Sequence, residues 1–419
     1  MPNSVSRNDV PAASNPRRSR LPVARSSAAA EPQTAATRRL VTATLLALLL
    51  TLALLLLLLS PRLAIAQEGD RALNIGPNKT GLSIGDSREW TGVRLNFRDT
   101  RLRKANGINA TIWSPAEGGE GDINGLALGL PLTGGRNVRG IQIGGGISAT
   151  ERLSGIGIAA LGVGSGSGIS GIMIAGLGAG SGGDALGLIV GGLGAGVGGD
   201  LRGIVLGGLG AGSGGELRGI GIGGLGIGAA EGVRGIAIGG LGVGSGGELR
   251  GVMIGGLGVG AAEGGRGIVI GGLGAGLGED FSGIGIGGLG VGGGGDLTGI
   301  FIGGAGVGSG GTIRYLSIAG LGVGAPQVEG VAISGFGVGG ERLHGLMIAG
   351  GTVRVVENGT LRGVGVSPFN FIQGTTHGLT IGIVNYTRQL HGVQFGVVNI
   401  VRGNPKGRRV LPILNWGSR

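Results

Sequence analysis

The chain has no cysteine, and only 3% of its 419 residues are aromatic and 14% charged. Without cysteine there is no disulfide, no thiolate metal site and no cysteine nucleophile. A lipoprotein anchor, which needs a cysteine at the cleavage site, is excluded as well. The shortage of charge argues against disorder, because disordered chains are polar and highly charged, whereas mean hydropathy here is +0.38. Proline is scarce too, at 13 residues against 108 glycines. Collagen would pair its glycine with abundant proline and place it at every third position.

The formal charge of +11 also overstates the basic character of the chain. Eight of its 34 Lys and Arg fall within residues 1–66, against only Asp9 and Glu31. In the remainder bases alternate with acids and aromatics are rare. Nucleic-acid binders concentrate cations on one face with stacking rings nearby, so no nucleic-acid partner is expected.

What is abundant is aliphatic residues and glycine, arranged in order. Residues 1–39 are rich in Ser, Ala, Pro and Arg and end in Arg38-Arg39, followed by a leucine-dominated run over 40–59. Pro61 and the small-residue site Ala64-Ile65-Ala66 come next. A basic region, an apolar region and an A-x-A site form a secretory signal, with cleavage expected after Ala66. An uncleaved membrane anchor is the alternative, since about twenty apolar residues can span a bilayer. Either reading takes the body of the chain out of the cytoplasm.

That body is one array. Residues 201–216 read LRGIVLGGLGAGSGGE, 217–232 LRGIGIGGLGIGAAEG and 233–248 VRGIAIGGLGVGSGGE. Taking the glycine after arginine as an anchor, Gly155, Gly171, Gly187, Gly203, Gly219, Gly235, Gly251, Gly267, Gly283 and Gly299 recur with a constant period of sixteen. Tyr315 keeps the phase, and looser copies run from Gly92 to Gly392. A fixed period decides the fold class. A repeat this short cannot hold a helical hairpin or a propeller blade, and it suits one coil of a β-solenoid. The expected fold is all-β, a two-sided solenoid of about 20 short coils, or about 90–100 Å of stacked strands at sheet spacing. The expected division is an N-terminal cap or linker at 67–90, the array at 91–401 and a closing strand within 402–419.

Positions +1 and +3 after the anchor are aliphatic throughout (Ile204 and Leu206, Ile220 and Ile222), and so are +6 and +8 (Leu209 and Ala211, Leu225 and Ile227). Residues two apart share a strand face. The odd step from +3 to +6 would put the two pairs on opposite faces of a straight strand. A corner at the intervening Gly-Gly, which glycine permits, turns both pairs into one core. On this reading +2 faces outward, consistent with Arg94, Asn109, Gln142, Thr380 and Gln394 at that position. The alternative is an antiparallel transmembrane β-barrel, pore or anchor, with one strand per repeat. Such a strand alternates lipid-facing apolar with lumen-facing polar residues between aromatic girdles, and the central repeats show neither.

Signals of chemistry are weak. Matches to G-x-G-x-x-G, such as residues 178–183, arise by chance at this glycine content, and no helix follows to complete a dinucleotide site. The Gly-Gly-Asp turns carry one acid per repeat, unlike calcium-binding nonapeptide repeats with their paired ligands. His344, His377 and His391 occupy the slot that Arg218 fills in the core repeats, which makes them surface residues without a Ser, Asp or metal-ligand set around them. No catalytic, cofactor or metal site is expected. The one candidate site is the column read as outward: Met173, Ile189, Val205, Met253, Val269 and Phe301. Soluble monomers rarely expose contiguous apolar stripes, so this column is expected to dock an envelope or surface component, a second copy, or a membrane.

Four stretches carry a resemblance: TGVRLNFRD at 91–99, NGINATIWSP at 106–115, the GIxIGGLGxG core, and HGLTIGIVNYTRQLHGVQFGVVNIV at 377–401 followed by NPKGRRVLPILNW at 404–416. Over residues 90–416 the chain resembles bacterial exported surface repeat-containing proteins. The resemblance implies an envelope or surface location and no particular activity. The expected function is therefore that of a non-enzymatic exported structural or interaction protein.

Overall fold

The structure, a computed structural model, describes residues 71–117 and 120–417, which belong to one compact unit, Ala66–Arg419. The leader and its apolar run lie outside the described residues.

Each central coil is built from two strands and two bends. Leu201–Gly207 forms a long strand, 208–209 a bend, Gly210–Ser213 a short strand, and 214–215 a second bend. Long strands pair with long strands and short with short, always parallel and one repeat apart. Leu201 sits beside Leu217, Ile204 beside Ile220, and Gly210 beside Gly226. The chain therefore winds as a β-solenoid of about 18 turns. This parallel register excludes the antiparallel barrel, whose neighbouring strands would be joined as hairpins.

Glycine is required both inside the long strand and at its corner. The anchor Gly203 has φ +130°, a conformation that L side chains rarely adopt, and a Cβ there would stand 2.1 Å from the carbonyl oxygen of Gly187. At the corner that ends the long strand a Cβ on Gly207 would lie 2.0 Å from the carbonyl of Gly210, and one on Gly208 1.8 Å from that of Gly192. Backbone passes so close to backbone that only hydrogen fits.

The interior does not follow the expected parity. Met173, Val205, Met253 and Phe301 are 0% exposed, and Ile189 and Val269 only 1%. These six residues, expected to form an outward face, are the core. The +8 column (Ala211, Ile227, Val243, Val259) is buried as expected, and a further inward column precedes the anchor at Leu201, Leu217, Val233 and Leu249. In contrast Ile204, Ile236 and Ile300 at +1 are each 39% exposed, and Leu209 at +6 is 51% exposed. The corner at Gly-Gly is real, but it joins +2 and +4 to +8. All three are even positions, so the strand parity runs through the corner unchanged. Leu209 sits on the bend itself and points out.

The polar residues at +2 are inside as well. Arg94, Asn109, Gln142, Thr380 and Gln394 are all 0% exposed, as are Asn385 and Asn399. They cluster toward the two ends of the array, where Arg94 bonds to Asn109 and Asn385 to Asn399, Gln142 donates to the Ser154 carbonyl, and the Thr380 hydroxyl and the Gln394 amide are buried without a partner. Arg94 donates to Asp99, Asn109 and Asp86. Toward the other end Asn370 donates to Asn385 at 2.7 Å, and Asn385 to Asn399 at 2.7 Å. Hydrogen bonding offsets the burial of the arginine and asparagine networks, whereas nothing in the structure offsets that of Thr380 and Gln394.

The open ends of the coil stack are covered by antiparallel strands. Arg71–Ile75 pairs with Thr80–Asp86, and Val410–Trp416 pairs with the last coil from Val393 to Ile400. An uncovered terminal coil would offer a row of free N–H and C=O groups to any passing strand.

Candidate functional site

Because the +2 column is core, the candidate surface moves to its neighbours on either side. Along the outer face of the long-strand sheet run an arginine-rich row at –1, then aliphatic rows at +1 and +3. A leucine row at +6 follows on the bend, made of Leu177, Leu193, Leu225, Leu241, Leu257 and Leu273 and their equivalents. A side chain in such a row is covered above and below by its own copies in the adjacent coils. The 39% exposure of Ile204 therefore means that its whole outward side is bare.

The outer rows are uniform while the inner column varies. At +1 the sequence repeats Ile, Leu or Val. At +2 it passes through Gly157, Met173, Ile189, Val205, Gly221, Ala237, Met253, Val269, Gly285 and Phe301. Volumes inside compensate from coil to coil. A Cβ on Gly157 would meet the Met173 sulfur at 2.6 Å, and one on Gly285 the Phe301 ring at 2.9 Å. This big-against-small exchange is the signal in the sequence that +2 faces a packed interior. The strict +1 and +3 rows carry no such exchange.

The aliphatic rows are bordered by apolar furrows at both ends of the array. One, about 600 Å³, is lined by Val366, Pro368, Ile381, Ile383, Phe395 and Val397. The other, about 520 Å³, is lined by Ile84, Leu95, Phe97, Ile112, Leu128 and Leu130.

On the far edge the arginine row is tied down by acids. Arg202 pairs with Asp200 at 3.2 Å, Arg218 with Glu216 at 2.6 Å, and Arg314 with Asp296 at 2.9 Å. Arg234 and Arg250 hold Glu216 and Glu248. Several of the aspartates also bind along the stack. Asp184 accepts the N–H of Asp200 at 2.9 Å, Asp200 that of Glu216 at 3.0 Å, Asp280 that of Asp296 at 2.7 Å, and Asp296 that of Thr312 at 2.8 Å. The N–H of Glu216 holds the Asp200 carboxyl below its usual range, with Arg202 adding to the effect, and Thr312 and Arg314 do the same for Asp296. The turn acids are thus rungs between coils as well as a solvated edge.

The short-strand sheet presents a different outer face. Its outward positions, +7 and +9, are glycine in coil after coil. A Cβ on Gly196, Gly228, Gly244, Gly276 or Gly292 would meet nothing within 4 Å. Sterics do not require glycine at +9, whereas at +7 a Cβ on Gly242 would stand 3.1 Å from the Gly258 carbonyl oxygen; the central coils leave this strip bare of side chains.

The histidines gather at one end of the arginine row. His377 stacks on His391 with ring centroids 4.6 Å apart and planes 6° from parallel. Burial lowers the pKa of His377, helped by His391 and Arg362. Among the described residues no group of three or more His, Asp or Glu is arranged to hold a metal ion. No protein-family model matches the chain, and no curated protein or solved structure matches it.

Proposed function

We propose that the chain is a non-enzymatic exported protein of the cell envelope or surface, a structural or interaction protein that works through the outer face of its long-strand sheet. One observation carries this reading: the exposed rows at +1, +3 and +6 are kept aliphatic while the buried +2 column between them varies. A core must fit its neighbours, so repetition there is expected, whereas a solvated face is free to drift. Here the exposed rows at +1, +3 and +6 repeat aliphatic residues through coil after coil. Folding alone does not demand an aliphatic residue at half-exposed strand positions, and a soluble monomer gains nothing from them. The leader at 1–66 and the resemblance to surface repeat-containing proteins support the location.

The test is fractionation of cells expressing the whole chain, with Ile204, Ile236 and Ile268 changed to Lys in a parallel strain. The native chain is expected in the envelope or the medium, and the substituted one is expected to lose its envelope association while folding normally. A chain confined to the cytoplasm, or an association indifferent to the three substitutions, would overturn the proposal.

A further inference from the structure

The outer face of the long-strand sheet is proposed above as the working surface, and on that reading we infer that its occupant is a second copy of this chain, docked sheet to sheet through the +1, +3 and +6 rows. Three features point to a second copy.

The first is area. Two side chains two residues apart make a stripe about 10 Å wide, and about 18 coils at strand spacing extend it to about 85 Å. The resulting patch is roughly 850 Å² before the leucine row is counted, more than soluble monomers usually expose in one piece. It matches the roughly 800 Å² per partner of a stable interface.

The second is shape. Register is kept from coil to coil, Ile204 beside Ile220 and Ile220 beside Ile236, so the rows are ridges with a regular spacing. A regularly ridged sheet fits another of the same spacing, as the inner faces of two-sheet folds do at about 10 Å separation. The isoleucines and valines are β-branched and stiff at χ1, so little side-chain freedom is lost on docking. A two-fold arrangement makes such a contact closed and self-limiting.

The third is charge. The arginine row beside the aliphatic rows would suit anionic lipid headgroups if its cations were free. Instead Arg202, Arg218, Arg234, Arg250 and Arg314 each hold a carboxylate. Only Arg266 of this central row holds none, and the turn acids from Asp184 to Asp296 outnumber its arginines, so the rim offers little to an anionic bilayer and mixes both signs for a second such rim.

The test uses the whole chain, expressed with its own leader and recovered without detergent in the form the cell leaves. Light scattering at micromolar concentration should give twice the chain mass. Ile204→Lys, Ile236→Lys and Ile268→Lys combined should halve that mass with an unchanged thermal melt. As a control, Gly228→Lys and Gly244→Lys on the bare short-strand face should leave the dimer intact. A monomeric native chain, or a dimer that survives the three isoleucine substitutions, would overturn the inference. So would native chain that leaves the dimer to bind phosphatidylcholine vesicles through the same isoleucines. In that last case, or where a monomer still needs these isoleucines for envelope association, the second copy fails as occupant while the working face stands.

Discussion

Gly285 lies against the ring of Phe301 in the next coil, so close that a Cβ on the glycine would stand 2.9 Å from the ring. Phe301 in turn meets Phe281 edge to face, with centroids 6.1 Å apart and planes at 67°. The largest apolar residue of the +2 column is thus housed by a glycine. Phe301→Ala should lower stability by about 3–5 kcal/mol, the cost of a cavity at a site that cannot collapse. Gly285→Val should cost about 1–3 kcal/mol through overpacking. Urea unfolding monitored by circular dichroism measures both. A Phe301→Ala loss below about 1 kcal/mol would mean that the ring is not interior, given the usual cost of truncating buried aromatics.

Tyr315 occupies the anchor column that is otherwise glycine, with φ of 82° and its side chain 67% exposed. It carries the strain of a positive φ on an L residue without burying its ring. Tyr315→Gly should therefore raise stability by about 1 kcal/mol, within the usual cost of such backbone conformations. A lower urea midpoint for the variant would show that the exposed ring makes contacts worth more than the strain.

The aspartate rungs predict a pH dependence. Asp296 has a folded pKa below its ordinary 3.8, set first by the N–H of Thr312. The folded state therefore binds fewer protons than the unfolded one just below that value. The contribution of Asp296 is full above about pH 5 and is lost as pH falls through the unfolded pKa toward the folded one. Asp296→Ala should cost about 1–2 kcal/mol at neutral pH. Asp296→Asn, which keeps an acceptor oxygen, should cost less and should flatten the fall in melting temperature between about pH 5 and 3. An unchanged slope in the Asn variant would remove the rung from the account.

The bare short-strand face predicts stabilisation by the simplest substitution. Gly228 and Gly244 have ordinary φ and open space around a would-be Cβ. Alanine at each should add about 0.4–1 kcal/mol by restricting the unfolded chain. Alanine at the anchor Gly235, where φ is +129° and the Gly219 carbonyl would be 2.1 Å away, should instead be strongly destabilising. Thermal melts of the three variants separate these outcomes. Equal effects at Gly228 and Gly235 would mean that the two glycine columns are not distinct.

Much of the architecture is legible in the sequence. The constant period, the two strands per coil and the corner at Gly207-Gly208 all follow from the spacing of glycine and aliphatic residues. The facing of the strands does not. Ile204 and Leu206 resemble core because they are apolar and constant, and Val205 resembles surface because its column also holds Arg94, Asn109 and Gln142. Hydrophobicity alone cannot set parity when both faces of a strand are apolar. The informative signal is volume exchange, Gly157 against Met173 and Gly285 against Phe301, which only a packed interior imposes. The polar residues mislead because the end coils have interiors of their own, wired by Arg94 to Asp99 and by Asn385 to Asn399. A surface inferred from hydrophobicity and polar exceptions consequently falls one residue out of phase.

The facing of Ile204 and Val205 is the claim on which the outer surface depends, and the absence of native cysteine makes it directly measurable. Single variants Ile204→Cys and Val205→Cys, treated with a maleimide under native conditions and again in denaturant, report which side chain reaches solvent. The thiol at position 204 should react in the native state, and the thiol at 205 only after unfolding. The reverse order would put the isoleucine rows inside the coil and contradict the account.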